Sequence, residues 1–255
     1  MHLSDKSAFH IHTYRCGHAE NVPDEKYIQK AIRMGADSIW FSDHAPFPGD
    51  PFGGRMKFDQ LDEYLDTLTD LKEKYGDFVH IGLETEYFPS FDEGGYYKKL
   101  RDDKRIEFLL LGQHMAEDPV LDEYSFSWTK DRLDREEYLA LGKAICQGID
   151  SGYFDFVAHP DRIYRRCKGW TLQMAEVGNR IISKAEISGM PLEVNMSSIA
   201  GNNNYWPEFW QMTLSDTIIG LDAHSVEDME REYERLNNLD TDESRNKNKQ
   251  FVELR

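Results

Sequence analysis

Short apolar runs alternate with longer amphipathic stretches along most of the chain. The runs have the length and composition of buried strands, and the stretches between them carry apolar residues at helical spacing. The predicted strands are residues 8–12, 38–42, 79–84, 108–112, 154–158, 192–195 and 217–221. The predicted helices are residues 24–34, 59–75, 135–151, 172–188 and 227–236, with a shorter candidate at 205–214. This alternation predicts an α/β fold with a parallel sheet, open or closed into a barrel.

Side chains that can bind metal ions follow six of the seven predicted strands. These residues are His10, His12, His18, His44, Glu84, His114, His159, Asp222 and His224. An open doubly wound sheet gathers its ligands at one switch point, whereas a closed barrel brings the C-terminal ends of all strands together. The distribution therefore predicts a barrel of seven β/α units with its metal site at the C-terminal ends of the strands.

The spacing of the histidines supports a common metal site. His10 and His12 are two residues apart, so they point to the same side of an extended strand, and Asp222 and His224 repeat this spacing. Imidazole and carboxylate groups suit zinc, iron and manganese. Two histidines are left out of the site: His2 is near the N-terminus, and His80 is at the start of its strand, the opposite end from the ligands.

Charge and cysteine usage exclude some partners. The chain has 47 acidic and 30 basic residues and a net charge of −17, so it repels nucleic-acid phosphates and a nucleic-acid partner is not expected. The three cysteines are widely spaced and indicate no disulfide framework. No apolar run approaches 18 residues and no leader-like segment opens the chain, so we expect a cytoplasmic protein without a membrane partner.

The order of these motifs resembles the PHP (polymerase and histidinol phosphatase) family. The pattern is HxH, a third histidine six residues on, SDH, a lone Glu, a lone His, HPD and DxH. Residues 12–19 (HTYRCGHA), 41–47 (FSDHAPF) and 55–56 (RM) resemble its monofunctional histidinol-phosphatase branch, and the resemblance runs from about Phe9 to about Asp228. It implies a distorted (β/α)7 TIM-like barrel in one PHP-type domain over residues 1–255. The charged tail after about residue 239 is expected to be peripheral, with Phe251 and Val252 docking its end.

The resemblance also implies three divalent metal ions (zinc, iron or manganese, alone or mixed). His10, His12, Glu84 and Asp222 would hold the first ion, and His18, His44 and His224 the second. Glu84 would act as a bridge and join His114 and His159 on the third. Because all nine family ligands are present, a non-catalytic metal-binding or regulatory module is disfavoured.

Clustered divalent cations activate water at neutral pH, which suggests in-line attack on a phosphate monoester. Glu84, Asp222 and His224 are the predicted catalytic residues. The proton for the leaving group could come from Asp222, His224 or Asp161, and the sequence does not rank them. Asp43 and Asp161 flank ligand histidines and could instead orient the imidazoles.

The predicted substrate is a small phosphate monoester, with L-histidinol phosphate as the first candidate because of the branch that the chain resembles. Alternatives are a broad-specificity phosphoesterase and a PHP-type exonuclease, which the acidic charge disfavours. Arginine forks bind phosphate oxygens, so the substrate-binding candidates are Arg55, Arg162 and Arg15, together with Asn195 after the strand without ligands. The sequence leaves the oligomeric state open.

Overall fold

The computed structural model describes residues 2–201, 204–214, 216–239 and 252–253. Its strands are β1 (His2–Leu3), β2 (Ala8–Ile11), β3 (Ile39–His44), β4 (Val79–Thr85), β5 (Phe108–Leu111), β6 (Glu117–Asp118), β7 (Glu123–Tyr124), β8 (Phe156–Val157), β9 (Leu192–Asn195), β10 (Thr217–Gly220) and β11 (Val252–Glu253). Seven of them form a parallel sheet in the order β10-β9-β8-β5-β4-β3-β2. These are the seven strands predicted from the sequence, with ends that differ by at most two residues.

The helices are α1 (Asp24–Met34), α2 (Leu61–Tyr75), α3 (Pro89–Glu93), α4 (Tyr96–Asp102), α5 (Lys130–Ser151), α6 (Leu172–Ser188), α7 (Met196–Ala200), α8 (Pro207–Met212) and α9 (Val226–Leu239). Helices α1 and α6 have the predicted bounds. Helix α5 begins five residues before its predicted start, because Thr129 caps it by accepting a hydrogen bond from the Arg132 amide. Helices α3, α4 and α7 were not predicted, and each is seven residues or shorter.

Contacts between Cα atoms group the chain into two compact units. The first comprises Met1–Glu84, Asp103–Leu109 and Ile219–Arg255, and the second comprises Thr85–Asp102 and Leu110–Ile218. The prediction of one domain over residues 1–255 stays a prediction.

In the first unit, strand β2 has neighbours on both sides. It pairs with β3 in parallel, and on its other side Ile11 forms a parallel bridge with Ala223, just after β10. The Leu221 amide donates to the Phe9 carbonyl at 2.8 Å, which continues this pairing. Neighbours on both sides of the strand at the end of the sheet order are what closure requires. The predicted (β/α)7 barrel class is confirmed.

The core of the first unit is aromatic. Phe9, Trp40 and Phe108 are fully buried, and the Phe9 ring meets the Trp40 ring edge to face at 5.8 Å. Gly82 in β4 lets the Phe108 ring lie against the backbone, since an added Cβ would be 2.5 Å from it. Strand β4 is therefore held tightly two residues before Glu84.

In the second unit, helices α5 and α6 pack together, and strands β8 and β9 pair in parallel. Gly148 of α5 allows close approach to Leu111, which an added Cβ would meet at 2.6 Å. At the chain ends, β1 and β11 pair antiparallel, so Val252 of the predicted docking pair lies opposite Leu3. Phe251 lies outside the described residues. Among the residues that the structure describes, no helix is both long enough and apolar enough to cross a membrane.

Candidate metal centre

Three predicted ligands have a backbone conformation that side chains rarely adopt. The φ angles of His10, His159 and Asp222 are 68°, 30° and 50°. At His10 the pairing of β2 with β3 shifts register, as in a β-bulge, and the strand ends at Ile11. His10 and His12 are therefore brought together by a bulge, and simple alternation along a strand is not the reason for their proximity.

The first group of donors surrounds Asp222. Its Oδ1 lies 3.3 Å from Nε2 of His12 and 3.8 Å from Nε2 of His10. Glu84 Oε2 lies 3.5 Å from Nε2 of His10 and 3.7 Å from Nε2 of His12. His10, His12 and Glu84 are almost fully buried. The structure thus brings together the four residues predicted for the first ion.

The second group consists of His18, His44 and His224. The ring centroid of His18 is 5.3 Å from that of His44 and 4.7 Å from that of His224. Nδ1 of His18 faces the Cys16 carbonyl at 3.1 Å. His44 Nδ1 lies 2.8 Å from Glu84 Oε2, which connects this group to the first. The sulfur of Cys16 lies within 4.8 Å of donor atoms of His18 and His224, although the sequence-based ligand set leaves it out.

These donors fit a site for more than one metal ion. Donor atoms of His10, His12 and Asp222 lie within 4.8 Å of one another, and so do those of His12, His44 and His224. Nε2 of His12 and Nε2 of His224 are buried and have no hydrogen-bond partner among the described residues. Buried imidazoles crowded around carboxylates need a cation to balance them, and this donor chemistry suits zinc, iron or manganese.

The crowding shifts the pKa values of the histidines in opposite directions. Burial lowers the pKa of His12, but the carboxylates of Asp222 and Asp43 beside its ring outweigh burial and raise the pKa to about 9. Burial and the positive charge of His12 lower the pKa of His224 to about 3. The histidines around Asp222 more than offset its burial and hold its pKa well below the ordinary value. Ionisable side chains that shift one another's pKa so strongly are typical of a functional site.

Asp43 orients the first ligand loop. It is fully buried, and its Oδ1 lies 3.5 Å from Nδ1 of His12 and accepts the His44 amide at 2.8 Å. Its Oδ2 accepts a short hydrogen bond from the Thr13 hydroxyl and a longer one, 3.3 Å, from the Thr13 amide. A carboxylate on Nδ1 leaves Nε2 of His12 to face a metal ion. Of the two roles considered for Asp43, this geometry favours orientation.

In the second unit, His114 and His159 lie side by side. Their ring centroids are 5.0 Å apart, and Nδ1 of His114 lies 3.2 Å from Glu86 Oε1. The Arg165 guanidinium donates to the His114 carbonyl at 3.3 Å and to Glu137 at 2.8 Å. Glu86 and Arg165 were not among the predicted site residues. The only sequence signal for Glu86 is its position two residues after Glu84.

Asp161 connects the HPD motif to helix α8. Its Oδ2 accepts hydrogen bonds from the Trp206 amide at 2.8 Å and from Nε1 of Trp210 at 3.0 Å. Burial raises the pKa of Asp161 to about 6, although these donors oppose the rise. The aromatic segment that follows β9 is therefore held against residue 161.

The predicted substrate-binding residues differ in how their polar groups are used. Nη1 of Arg162 is buried without a hydrogen-bond partner among the described residues, so a donor is available. Arg55 donates to the Ala45 carbonyl at 3.3 Å and lies over the rings of Phe47 and Phe52.

The side-chain oxygen of Asn195 caps helix α7 by accepting the Ser198 amide at 2.8 Å. The guanidinium of Arg15 is nearly inaccessible and is bound by Asp24 and Glu63.

Comparisons with known proteins agree with this fold and donor set. The family model for the PHP domain matches residues 8–197. The chain is 24% identical over 258 residues to the histidinol-phosphatase of Bacillus subtilis, which covers 88% of this chain and 96% of the relative. It is 28% identical over 161 residues to a protein of Deinococcus radiodurans named probable histidinol-phosphatase, which covers 60% of this chain and 59% of that protein. The match thus spans less than two thirds of the Deinococcus radiodurans protein.

Two solved structures have the same fold at 18% sequence identity. A candidate histidinol phosphatase from Listeria monocytogenes superposes with a TM-score of 0.73, over 90% of this chain and 99% of that one. The histidinol phosphate phosphatase of Lactococcus lactis, solved with zinc, L-histidinol and phosphate, superposes with a TM-score of 0.66, over 92% of this chain and 94% of that one. Fold and donors together define a barrel that binds more than one metal ion. The chain belongs to the PHP domain family, as its motifs predicted.

Proposed function

We propose that this protein is a metal-dependent phosphoric monoester hydrolase that converts L-histidinol phosphate to L-histidinol. The observation that carries this proposal is the cluster of His10, His12, Glu84 and Asp222, in which nitrogen and oxygen donors converge in a buried space. The relative from Bacillus subtilis, aligned over 88% of this chain, is named for this activity.

The metal content that we propose is three divalent ions, of zinc, iron or manganese. His10, His12, Glu84 and Asp222 hold one ion, and His18, His44 and His224 hold a second. His114 and His159, which lie together in the second unit, are proposed ligands of the third. Zinc has support from the Lactococcus lactis structure, which contains it.

Bound divalent ions supply an activated water nucleophile and neutralise charge on the phosphoryl group. The protein's own residues bind and orient the ester. Arg162 has a buried donor available for a phosphate oxygen, and Arg55 presents a guanidinium held over two aromatic rings. Charge-assisted hydrogen bonds of this kind are the strong ones in phosphate recognition.

Glu84 and Asp222 act as ligands, so their catalytic role is to fix the ions. His224 is proposed to act in the same way, as a ligand of the second ion. Its Nδ1 faces the Asp222 carbonyl at 3.2 Å, and its Nε2 has no hydrogen-bond partner in the described part of the chain. Asn195 is a further proposed substrate contact; its oxygen caps α7, and its amide nitrogen donates to Glu193 at 3.4 Å.

The test is a substrate panel on protein purified with its native metals. We expect kcat/KM for L-histidinol phosphate to exceed that for other phosphate monoesters by at least about tenfold, a difference of about 1.4 kcal/mol. Similar values across all monoesters would instead make the protein a broad phosphoesterase. Hydrolysis of single-stranded DNA above monoester rates would indicate an exonuclease, which the net charge of −17 opposes.

A further inference from the structure

Arg15 lies within the first ligand loop, but its surroundings do not suit a phosphate ligand. Its side chain is 1% exposed. Nε and Nη2 donate to the two oxygens of Glu63 at 2.7 and 2.9 Å, and Nη1 donates to Asp24 at 2.8 Å. A phosphate dianion would have to displace one carboxylate and approach the other. The repulsion between these like charges opposes phosphate binding at Arg15.

The same guanidinium also reaches the residues that orient His12. Nη1 of Arg15 donates to the Thr13 hydroxyl oxygen at 3.2 Å. That hydroxyl has a single proton, and it donates this proton to Asp43. Because Arg15 occupies the acceptor side of the Thr13 oxygen, the hydroxyl proton is directed to Asp43.

Asp43 completes the connection to the metal site. One of its oxygens accepts from Thr13, and the other lies 3.5 Å from Nδ1 of His12. A carboxylate beside Nδ1 fixes the imidazole orientation and leaves Nε2 for an ion. All these side chains except Glu63 are buried, so water does not replace them easily.

We propose that Arg15 is a positioning residue: anchored by Glu63 and Asp24, it acts through Thr13 and Asp43 to fix the His12 imidazole for metal binding. Arg15 does not touch the substrate. This inference rests on the proposed ligand role of His12. It does not depend on which phosphate ester is hydrolysed.

The experiment compares metal affinity with phosphate affinity in a set of variants. Zn²⁺ affinity of the metal-free protein is measured by chelator competition, and retained zinc by mass spectrometry after gel filtration. In parallel, KM for a phosphate monoester and Ki for inorganic phosphate are measured at saturating Zn²⁺. The variants are Arg15→Gln, Thr13→Val, Thr13→Ser and the control Arg105→Gln. Arg105 also bridges carboxylates of helix α2, Asp62 and Asp66, but has no contact with the ligand loop.

We expect Arg15→Gln and Thr13→Val to weaken Zn²⁺ binding by about 10- to 100-fold, the usual effect of losing an outer partner of a metal ligand. Thr13→Ser keeps the hydroxyl and should retain wild-type affinity, as should Arg105→Gln. KM and Ki at saturating Zn²⁺ should change by less than about threefold, because these variants lose no phosphate contact.

Unchanged Zn²⁺ affinity in a folded Arg15→Gln protein would overturn the proposal. If KM and Ki also rose, Arg15 would be a phosphate ligand instead. Should Arg15→Gln fail to fold, the Thr13→Val and Thr13→Ser pair decides the question. If the wild-type protein bound zinc but hydrolysed no monoester, the proposed function would fail while the affinity series still tested Arg15.

Discussion

Oδ1 of Asp222 lies 3.3 Å from Nε2 of His12, closer than its 3.8 Å distance to Nε2 of His10. Asp222→Ala and Glu84→Ala remove the carboxylates of this cluster. We expect each to reduce kcat by more than about 100-fold, since the loss of outer partners alone has effects of that size. Steady-state kinetics and metal analysis test this, with exposed Asp131→Ala as the control. Near-normal turnover in either variant would refute the ligand assignment.

The positive φ of Asp222 predicts an unusual order of stability in the metal-free protein. Asp222→Gly should be more stable than Asp222→Ala by about 1 kcal/mol, because a side chain in the left-handed region is strained. Glu84 lies within β4, so there the order should be reversed, with Ala more stable than Gly. Urea unfolding with a chelator present measures both pairs. An Asp222→Ala protein as stable as Asp222→Gly would contradict strain at Asp222.

Removing the metal ions should abolish hydrolysis and lower the melting temperature. An ion that binds only the folded state stabilises it by about 2.7 kcal/mol at 100 times its Kd. Calorimetry of the protein before and after chelation, and after adding back Zn²⁺ or Mn²⁺, measures this change. A melting temperature that is insensitive to chelation would mean that the donors hold no ion under those conditions.

Arg162→Ala should weaken phosphate binding without loss of metal. Since Nη1 of Arg162 is buried and has no partner in the described protein, no hydrogen bond from this nitrogen is lost. A hydrogen bond to a charged group contributes about 1.5–3 kcal/mol, so KM and the Ki for inorganic phosphate should rise by about 10- to 100-fold. Arg180→Ala, at an exposed position of α6, is the matched control. Equal kinetics in the two variants would exclude Arg162 from the phosphate site.

The lowered pKa of Glu107, which is not among the predicted metal ligands, should make the free energy of unfolding depend on pH. Burial raises its pKa, but hydrogen bonds from His80 and Lys72 outweigh burial, so the folded-state pKa is lowered. The resulting stabilisation is present above the unfolded-state pKa of about 4.3 and is lost as pH falls towards the folded pKa. Glu107→Gln should therefore be less stable than wild type at pH 7, and the difference should shrink below about pH 4.5. Urea unfolding across this range measures it, and a constant difference would contradict the shift.

Much of the fold was predictable because apolar runs and amphipathic stretches have different periods. All seven strands of the sheet were found, as were the bounds of α1 and α6. Helices α3 and α4 were not. They are short, Gly94 and Gly95 separate them, and the hydroxyl of Tyr97 accepts a hydrogen bond from the Phe88 amide. Packing of this kind stabilises short helices that intrinsic propensity does not predict.

At the site, residue type and spacing identified the donors but not their conformation. The spacing of His10 and His12 suggested alternation along a strand, whereas the structure has a bulge with φ of 68° at His10. Arg15 was predicted to bind substrate on the basis of its position in the ligand loop. Its partner Glu63 is 48 residues away in the sequence, so local patterns could not show that the guanidinium is already bound.

The loop at residues 45–57, between β3 and α2, bears on how the substrate specificity of such an enzyme could change. It carries Arg55 and the aromatic pair Phe47 and Phe52 but none of the nine predicted metal ligands, which lie in the strands or after them. The proposed substrate contact of Arg55 is thus encoded in a segment apart from the metal ligands. Natural drift or laboratory selection in this loop could redirect the enzyme to another ester while the hydrolytic apparatus stays intact.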